Sequence, residues 1–453
     1  MATISQRIAH FTSDLRWERL PHEVQQKSKV TLLHNLGVAL AGIPLAQTAR
    51  NYAASLHESG LTASSRLLTN GLRATADTAA LVNSALMHAR AQDDVYFPGL
   101  THSGSVMTPA VLAIAESINA SGSDILTSLV AGSEACASIC QGYGVDSAKR
   151  GFRPTGVFGV FASAVAVSHL LKLDETRTSH AIGIAASCSS GLAQPWVSSS
   201  QEWQFQIAMA SRNGILAARL AEAGLSGASD AIEGEAGFYR AFTGSAAGSE
   251  KVAIDLGQIW RSLDVTYKPF PVCAILQAPV TCAVELAKRN NLNVSEISSV
   301  RLSLNPMEAS IPGTDAKGPY SDTGATLMSA QFCLSVALSK RTVQGSDLQR
   351  YSDPLLMGLI QKTSVMPDPS LGMRSFKLEI DLTSGSRMSH AENTVGEPFN
   401  WSCEETISNL QRISDELPFD KHGFERFVET ITNAEEFDAK TIVDVCLQKQ
   451  ITS

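Results

Sequence analysis

No stretch of this chain interleaves lysine or arginine with aromatic residues, and the net charge is −8 at pH 7, so there is no basic field for a phosphate backbone. Nucleic acid is therefore not an expected partner. Charged residues are scarce, at 18% against 44% apolar ones, which allows a large buried interior in a 453-residue chain long enough for about two or three domains. Long apolar runs are missing too. The longest, Val157 to Leu173, is shorter than a bilayer span and contains Ser163, Ser168 and His169. It reads as a helix buried on nearly all sides, and no membrane association is expected. The segment from Met1 to Leu20 carries charges throughout and lacks the apolar core of a secretory leader, which points to the cytosol or an organellar matrix.

The eight cysteines show no paired spacing, as reduced core residues would not. Cys136 and Cys140 lie one helical turn apart, but no histidine or third cysteine is near enough in sequence to complete a zinc site, so no metal is expected. The chain has no G-x-S-x-G elbow and no H-E-x-x-H pair, which removes support for hydrolase triads and zincins. The Gly-rich segment Gly234 to Phe242 lacks the spacing of a phosphate loop and reads as structural.

What is present is helical periodicity. Up to about residue 245, Ala, Leu and Val recur at three- and four-residue spacing between Gly, Ser and Pro turns, which predicts a large all-α body with closely approaching helices. Near Ile254 the character changes. Val300, Leu302 and Leu304 alternate with period two, as do Phe376, Leu378, Ile380 and Leu382, and the segment TLMSAQFCLSVALSK between them reads as one helix. The fold class is mainly α: an all-helical domain over 1–265, completed by returning C-terminal helices over 400–453, with a smaller α+β lid over 266–399. A cleft between two such units is a favoured ligand site.

Three segments carry chemistry. In YKPFPVC, Pro269 and Pro271 hold the backbone extended around Lys268, which mounts its ammonium on a stiff loop beside Tyr267. From His88 to Ser105, two histidines and two acids share a turn-rich stretch. There Asp93 and Asp94 are placed to cap the following helix, PAVLAIAESINA, or to orient a histidine, and His102 sits where a general acid or base would precede a helix N-terminus. In RGFRPTGVFG, Arg153 stands just before the buried helix, a good position for a carboxylate clamp.

Taken in order, GFRPTGVFG, RNGILAARLAEAGLSGASDAIEGEAGFYRAF and YKPFPVC resemble the MmgE/PrpD family, which contains 2-methylcitrate dehydratase, cis-aconitate decarboxylase and iminodisuccinate epimerase. The likeness runs from about Gln6 to the segment GSRMSHAENTVGEPFN. It implies a helical domain with an α+β lid, a homodimer, and chemistry on small polycarboxylates without metal or cofactor. By resemblance, His102 matches an active-site histidine and Lys268 the lid lysine, and Asp93 and Asp94 fit the double-acid part of an H-x-x-D-x-D-D pattern. Other positions depart from the pattern. Its earlier Asp is Ala91, its Thr after the acids is Val95, the G-F-H-P-T histidine is Arg153, a lysine is Trp203, and a histidine is Gln277; Cys273 keeps the K-P-x-P-x-C form. Arg153, Trp203, Tyr267, Cys273 and Gln277 are thus the expected substrate-wall positions.

The leading expectation is a cofactor-independent lyase on a small carboxylic acid, with proton transfer by His102 and charge stabilisation by Lys268 and Arg153. An epimerase needs only proton removal and return on opposite faces, and a non-catalytic binding paralogue needs neither.

Overall fold

The computed structural model describes residues 2–56, 63–393 and 399–448; part of the GSRMSHAENTVGEPFN segment, 394–398, lies outside them. The helical body is built around α1 (His22–Ala41), α2 (Ala76–His88), α3 (Ser103–Ile118), α4 (Gly122–Cys140), α5 (Pro154–Leu170) and α6 (Trp203–Glu222). The starts follow local chemistry. Thr75 and Ser121 accept backbone N–H groups at the N-termini of α2 and α4, and Pro154 opens α5 where no N–H is needed. Helix α5 is buried along every residue except His169, as its all-round apolar sequence predicts. It packs against α3, α4 and α6. Contact with α6 is close enough that a Cβ on Gly214 would stand 2.3 Å from Ser163 Cβ. Each fully buried Phe or Leu in this core contributes roughly 1.5–3 kcal/mol.

Helix α3 begins six residues before the proline expected to open it, with Pro109 inside. Pro109 has no N–H for the carbonyl of Ser105. Ser84 Oγ donates to that carbonyl instead, at 2.8 Å, so the helix absorbs the proline without a break.

The chain enters a smaller unit at Tyr267 and leaves it at Phe399, and these two are joined by a backbone hydrogen bond, Tyr267 N–H to Phe399 O, of 2.9 Å. Between them come α7 (Gln277–Arg289), β1 (Ile297–Leu304), α8 (Thr323–Met328), α9 (Ala330–Lys340), β2 (Thr363–Pro367), β3 (Ser375–Leu382) and β4 (Arg387–Asn393). The sheet has the order β2-β1-β3-β4, with β1 and β2 parallel and the other pairs antiparallel. Val300, Leu302, Leu304, Phe376, Leu378 and Ile380 are buried on one face, and α7 and α9 cover it. The single helix expected at TLMSAQFCLSVALSK is two. Ser329 ends α8 and caps α9 by accepting the N–H of Phe332 at 3.0 Å.

The tail returns to the body through α10 (Cys403–Arg412), α11 (Lys421–Thr432) and α12 (Ala439–Cys446). Helices α10 and α11 pack on α1, and α12 packs on α3. Arg66 pins the last of these by pairing with both Glu116 and Asp444. Among the described residues, no helix is long and apolar enough to cross a membrane.

Candidate active site

Four helix ends and one loop meet beneath the smaller unit: the C-terminus of α2, the N-termini of α3, α5 and α6, and the loop 266–273. The loop is tied to the body by a two-bond backbone bridge between Val95 and Thr266, 2.9 Å each way. The turn after α2 is strained. Ala91 sits at φ 49°, a left-handed conformation uncommon for a residue with a Cβ, and its carbonyl accepts from Lys268 Nζ at 2.7 Å.

Lys268 is 2% exposed and also donates to Asp93 Oδ1 at 3.0 Å. The other oxygen of Asp93 accepts from His88 Nδ1 at 2.7 Å and from Ser105 Oγ at 2.6 Å. Burial opposes ionisation of Asp93, but the hydrogen bond from His88 and the Lys268 ammonium outweigh it and hold the carboxyl well below the ordinary range.

His88 is fixed in one tautomer. A carboxylate only accepts, so Nδ1 carries the proton, and Nε2 accepts from Arg153 Nη2 at 2.5 Å. Burial pushes His88 down to about 4, leaving it neutral, and pushes the Arg153 guanidinium down to about 10. Arg153 also donates to the carbonyl of Trp203 and lies 5.2 Å over the Trp196 ring.

His102 is the open member. Its Nδ1 is 2.7 Å from the carbonyl of Asp94, which only accepts, so Nδ1 is the protonated nitrogen. Lys268 Nζ, 3.3 Å from the same Nδ1, already has the Ala91 and Asp93 oxygens. Nε2 therefore presents its lone pair, with no hydrogen-bond partner among the described residues, from a side chain that is 17% exposed. Burial and then the Lys268 ammonium hold His102 well below the usual histidine range, so the imidazole is neutral at pH 7.

Asp94 acts behind the site. Its carboxylate accepts from Asn35 Nδ2 at 3.1 Å and from the N–H of Gly104 at 3.0 Å, which caps α3, while its main-chain carbonyl orients His102. Burial, then the nearby Asp93, raise its pKa to about 6. Gly104 has to be a glycine for this approach, since a Cβ there would lie 2.5 Å from Asp94 Oδ1.

His102, Lys268, Asp93, Arg153 and Trp203 are thus brought together, with Trp203 contributing an edge-on indole 5.2 Å from the His88 ring. Three other expected wall residues support the loop instead. Tyr267 is fully buried facing Thr31, with its hydroxyl 2.8 Å from Thr31 Oγ1. Gln277 uses its amide on the backbone of Phe270 and Val272, so the loop is braced by the side chain expected to touch substrate. Cys273 bonds through its N–H to Leu327 O, and burial raises its thiol. His88 was not singled out from the sequence. Its signal is its place at the head of the acidic segment, five residues before Asp93. A surface cleft of about 510 Å³ between α10 and α11 shares no residue with this cluster.

The family model of the MmgE/PrpD N-terminal domain matches residues 6–250, and that of the MmgE/PrpD C-terminal domain matches residues 270–412. A cis-aconitate decarboxylase of Aspergillus terreus is 26% identical over 371 residues, covering 78% of this chain and 75% of that protein. A cis-aconitate decarboxylase-like protein of Aspergillus oryzae is 28% identical over 281 residues, 58% of each chain. The human cis-aconitate decarboxylase is 28% identical over 279 residues, 60% of this chain and 57% of that one.

Proposed function

The chain belongs to the MmgE/PrpD family, and from that premise we propose that it is a lyase of the dehydratase or decarboxylase type acting on a small polycarboxylate without a cofactor. The observation that carries this reading is the free Nε2 of a neutral His102, backed by the Asp94 carbonyl and set beside the Lys268–Asp93 pair.

In dehydration, His102 Nε2 takes the proton from the carbon next to a carboxylate, the electron pair moves into that carboxylate, and the Lys268 ammonium stabilises the developing charge. The pair then expels the neighbouring hydroxyl, which leaves as water with the proton. In decarboxylation the C–C bond breaks instead, carbon dioxide leaves, and the carbon keeps the electron pair and takes up a proton from solvent water, relayed through His102 Nε2. Asp93 holds Lys268 and His88 in register, and Arg153, buried at the start of α5, faces the carboxylate end of the substrate.

Epimerisation needs acid and base on opposite faces. His102 and Lys268 are neighbours, with 3.3 Å between His102 Nδ1 and Lys268 Nζ, which supports the lyase reading. The test is product analysis after exposing the purified protein to citrate-like, aconitate-like and aspartate-derived acids in deuterated water. Loss of water or carbon dioxide is the expected result; stereochemical scrambling with neither loss overturns the reading. No turnover together with no shift in melting temperature points to a non-catalytic paralogue.

A further inference from the structure

The carbonyl oxygen of Pro269, next to the lysine just described, is where two polar routes meet. Gln92 Nε2 donates to it at 2.9 Å, and Arg412 Nη2 donates to it from the end of α10. Gln92 is itself held: its Oε1 accepts from Arg90 Nε at 2.9 Å. Arg90 has no exposed surface and gives its two terminal nitrogens to Glu416, at 3.1 and 3.2 Å. Glu416 also accepts the N–H of Gly345, in the α+β unit, at 2.9 Å. Both routes therefore begin within residues 412–416 and end on one oxygen. Arg412 adds a second contact, its guanidinium lying 4.6 Å over the Phe270 ring.

Lys268 stands between two anchored points. Thr266 is fixed by its bridge to Val95, and Pro269 is fixed by this convergence. Gln92 is also the neighbour of Asp93, so the residue gripping the lysine loop sits in the same turn as the carboxylate that Lys268 must meet. With φ of Pro269 set by its ring, holding its carbonyl leaves the loop little freedom to turn.

We propose that Arg412 and Glu416 are positioning residues: the C-terminal turn is a brace that sets the place of the Lys268 ammonium over Asp93 and beside His102. The proposal rests on the reading of Lys268 as catalytic, so its main readout is independent of turnover. Arg412→Ala, Arg412→Lys and Glu416→Gln are compared with the parent and with a control, Arg426→Ala, an exposed arginine on α11. Amide hydrogen exchange at Tyr267, Lys268, Phe270 and Val272 and acetylation of Lys268 by acetic anhydride are followed by mass spectrometry.

In Arg412→Ala, exchange and acetylation rise by about tenfold while the protein stays folded, and Arg412→Lys restores part of the protection. With cis-aconitate as probe, kcat falls by about tenfold and KM changes little, as expected when the transition state alone loses an aligned charge. Rates of exchange and acetylation equal to the control in both Arg412→Ala and Glu416→Gln overturn the brace. If Arg412→Ala does not fold, Arg412→Lys and Glu416→Gln decide by the same readouts. A loosened loop in a protein whose Lys268→Met variant keeps full turnover supports the brace and sinks the catalytic reading instead.

Discussion

Lys268 and Asp93, 175 residues apart in the chain, meet as an ion pair of 3.0 Å in which neither side chain is more than 2% exposed. Taking two charges out of water is costly, and such a pair persists only with further hydrogen bonds, which His88, Ser105 and the Ala91 carbonyl supply. Lys268→Met keeps the stem and removes the charge. Turnover is expected to fall by roughly 10²–10⁴-fold, with folding checked by circular dichroism. Near-parental activity in a folded variant removes the lysine from the mechanism.

Asp93→Asn strikes the other end. One carboxylate accepts three side-chain donors, and an amide cannot satisfy them all. The unpaired buried ammonium should destabilise the fold by about 3–5 kcal/mol in urea titrations, with activity lost as well. A midpoint unchanged from the parent would contradict the observed pairing.

His102 is neutral at pH 7 because its folded pKa is depressed. Activity that needs its free Nε2 should therefore hold steady as pH falls through 6.5 and decline only at lower pH. The profile of log kcat/KM against pH checks this. An acid limb centred at or above 6.5 argues for a different base.

Stability should also depend on pH, with a sign set by buried histidines. His34 and His88 are each pushed down to about 4 by burial, so the stabilisation they give is complete above their unfolded value near 6.5 and is lost as pH falls through about 4. Asp94, raised to about 6, works the other way: its contribution is complete below about 3.8 and is lost as pH rises through about 6. Two histidines outweigh one carboxyl. Melting temperature should drop between pH 6.5 and 4.5, and His34→Gln, which keeps a donor for the Gln92 carbonyl, should flatten the slope. A melting temperature that rises over this interval refutes the assignment.

Gly104→Ala tests the cap of α3. The new methyl would sit 2.2 Å from Asn35 Nδ2 and 2.5 Å from Asp94 Oδ1. We expect a loss of about 1–3 kcal/mol in urea titrations and lower turnover, since the displaced segment carries the carbonyl that holds His102.

Much of this architecture was legible because burial leaves a periodic trace. The strands at Val300–Leu304 and Phe376–Ile380 each bury one face, so alternation marked them. Strand β4 did not announce itself, since its sequence, RMSHAEN, is largely polar and lies at the sheet's edge, exposed or half-buried throughout. The early start of α3 was hidden for another reason: a distant hydroxyl, that of Ser84, takes over the carbonyl that Pro109 leaves unpaired. At the site, residue types pointed to acid–base chemistry, but pairing is a three-dimensional fact. Nothing local in the sequence says that Arg153 rests on His88, or that Gln277 turns inward to brace a loop of prolines.

The backbone bond between Tyr267 and Phe399 makes the α+β unit hang from a doubled stem, and the residue after that stem is Lys268. The ammonium therefore rides one peptide link past the junction of the two units, so the threshold between them and the charge share a single stretch of backbone.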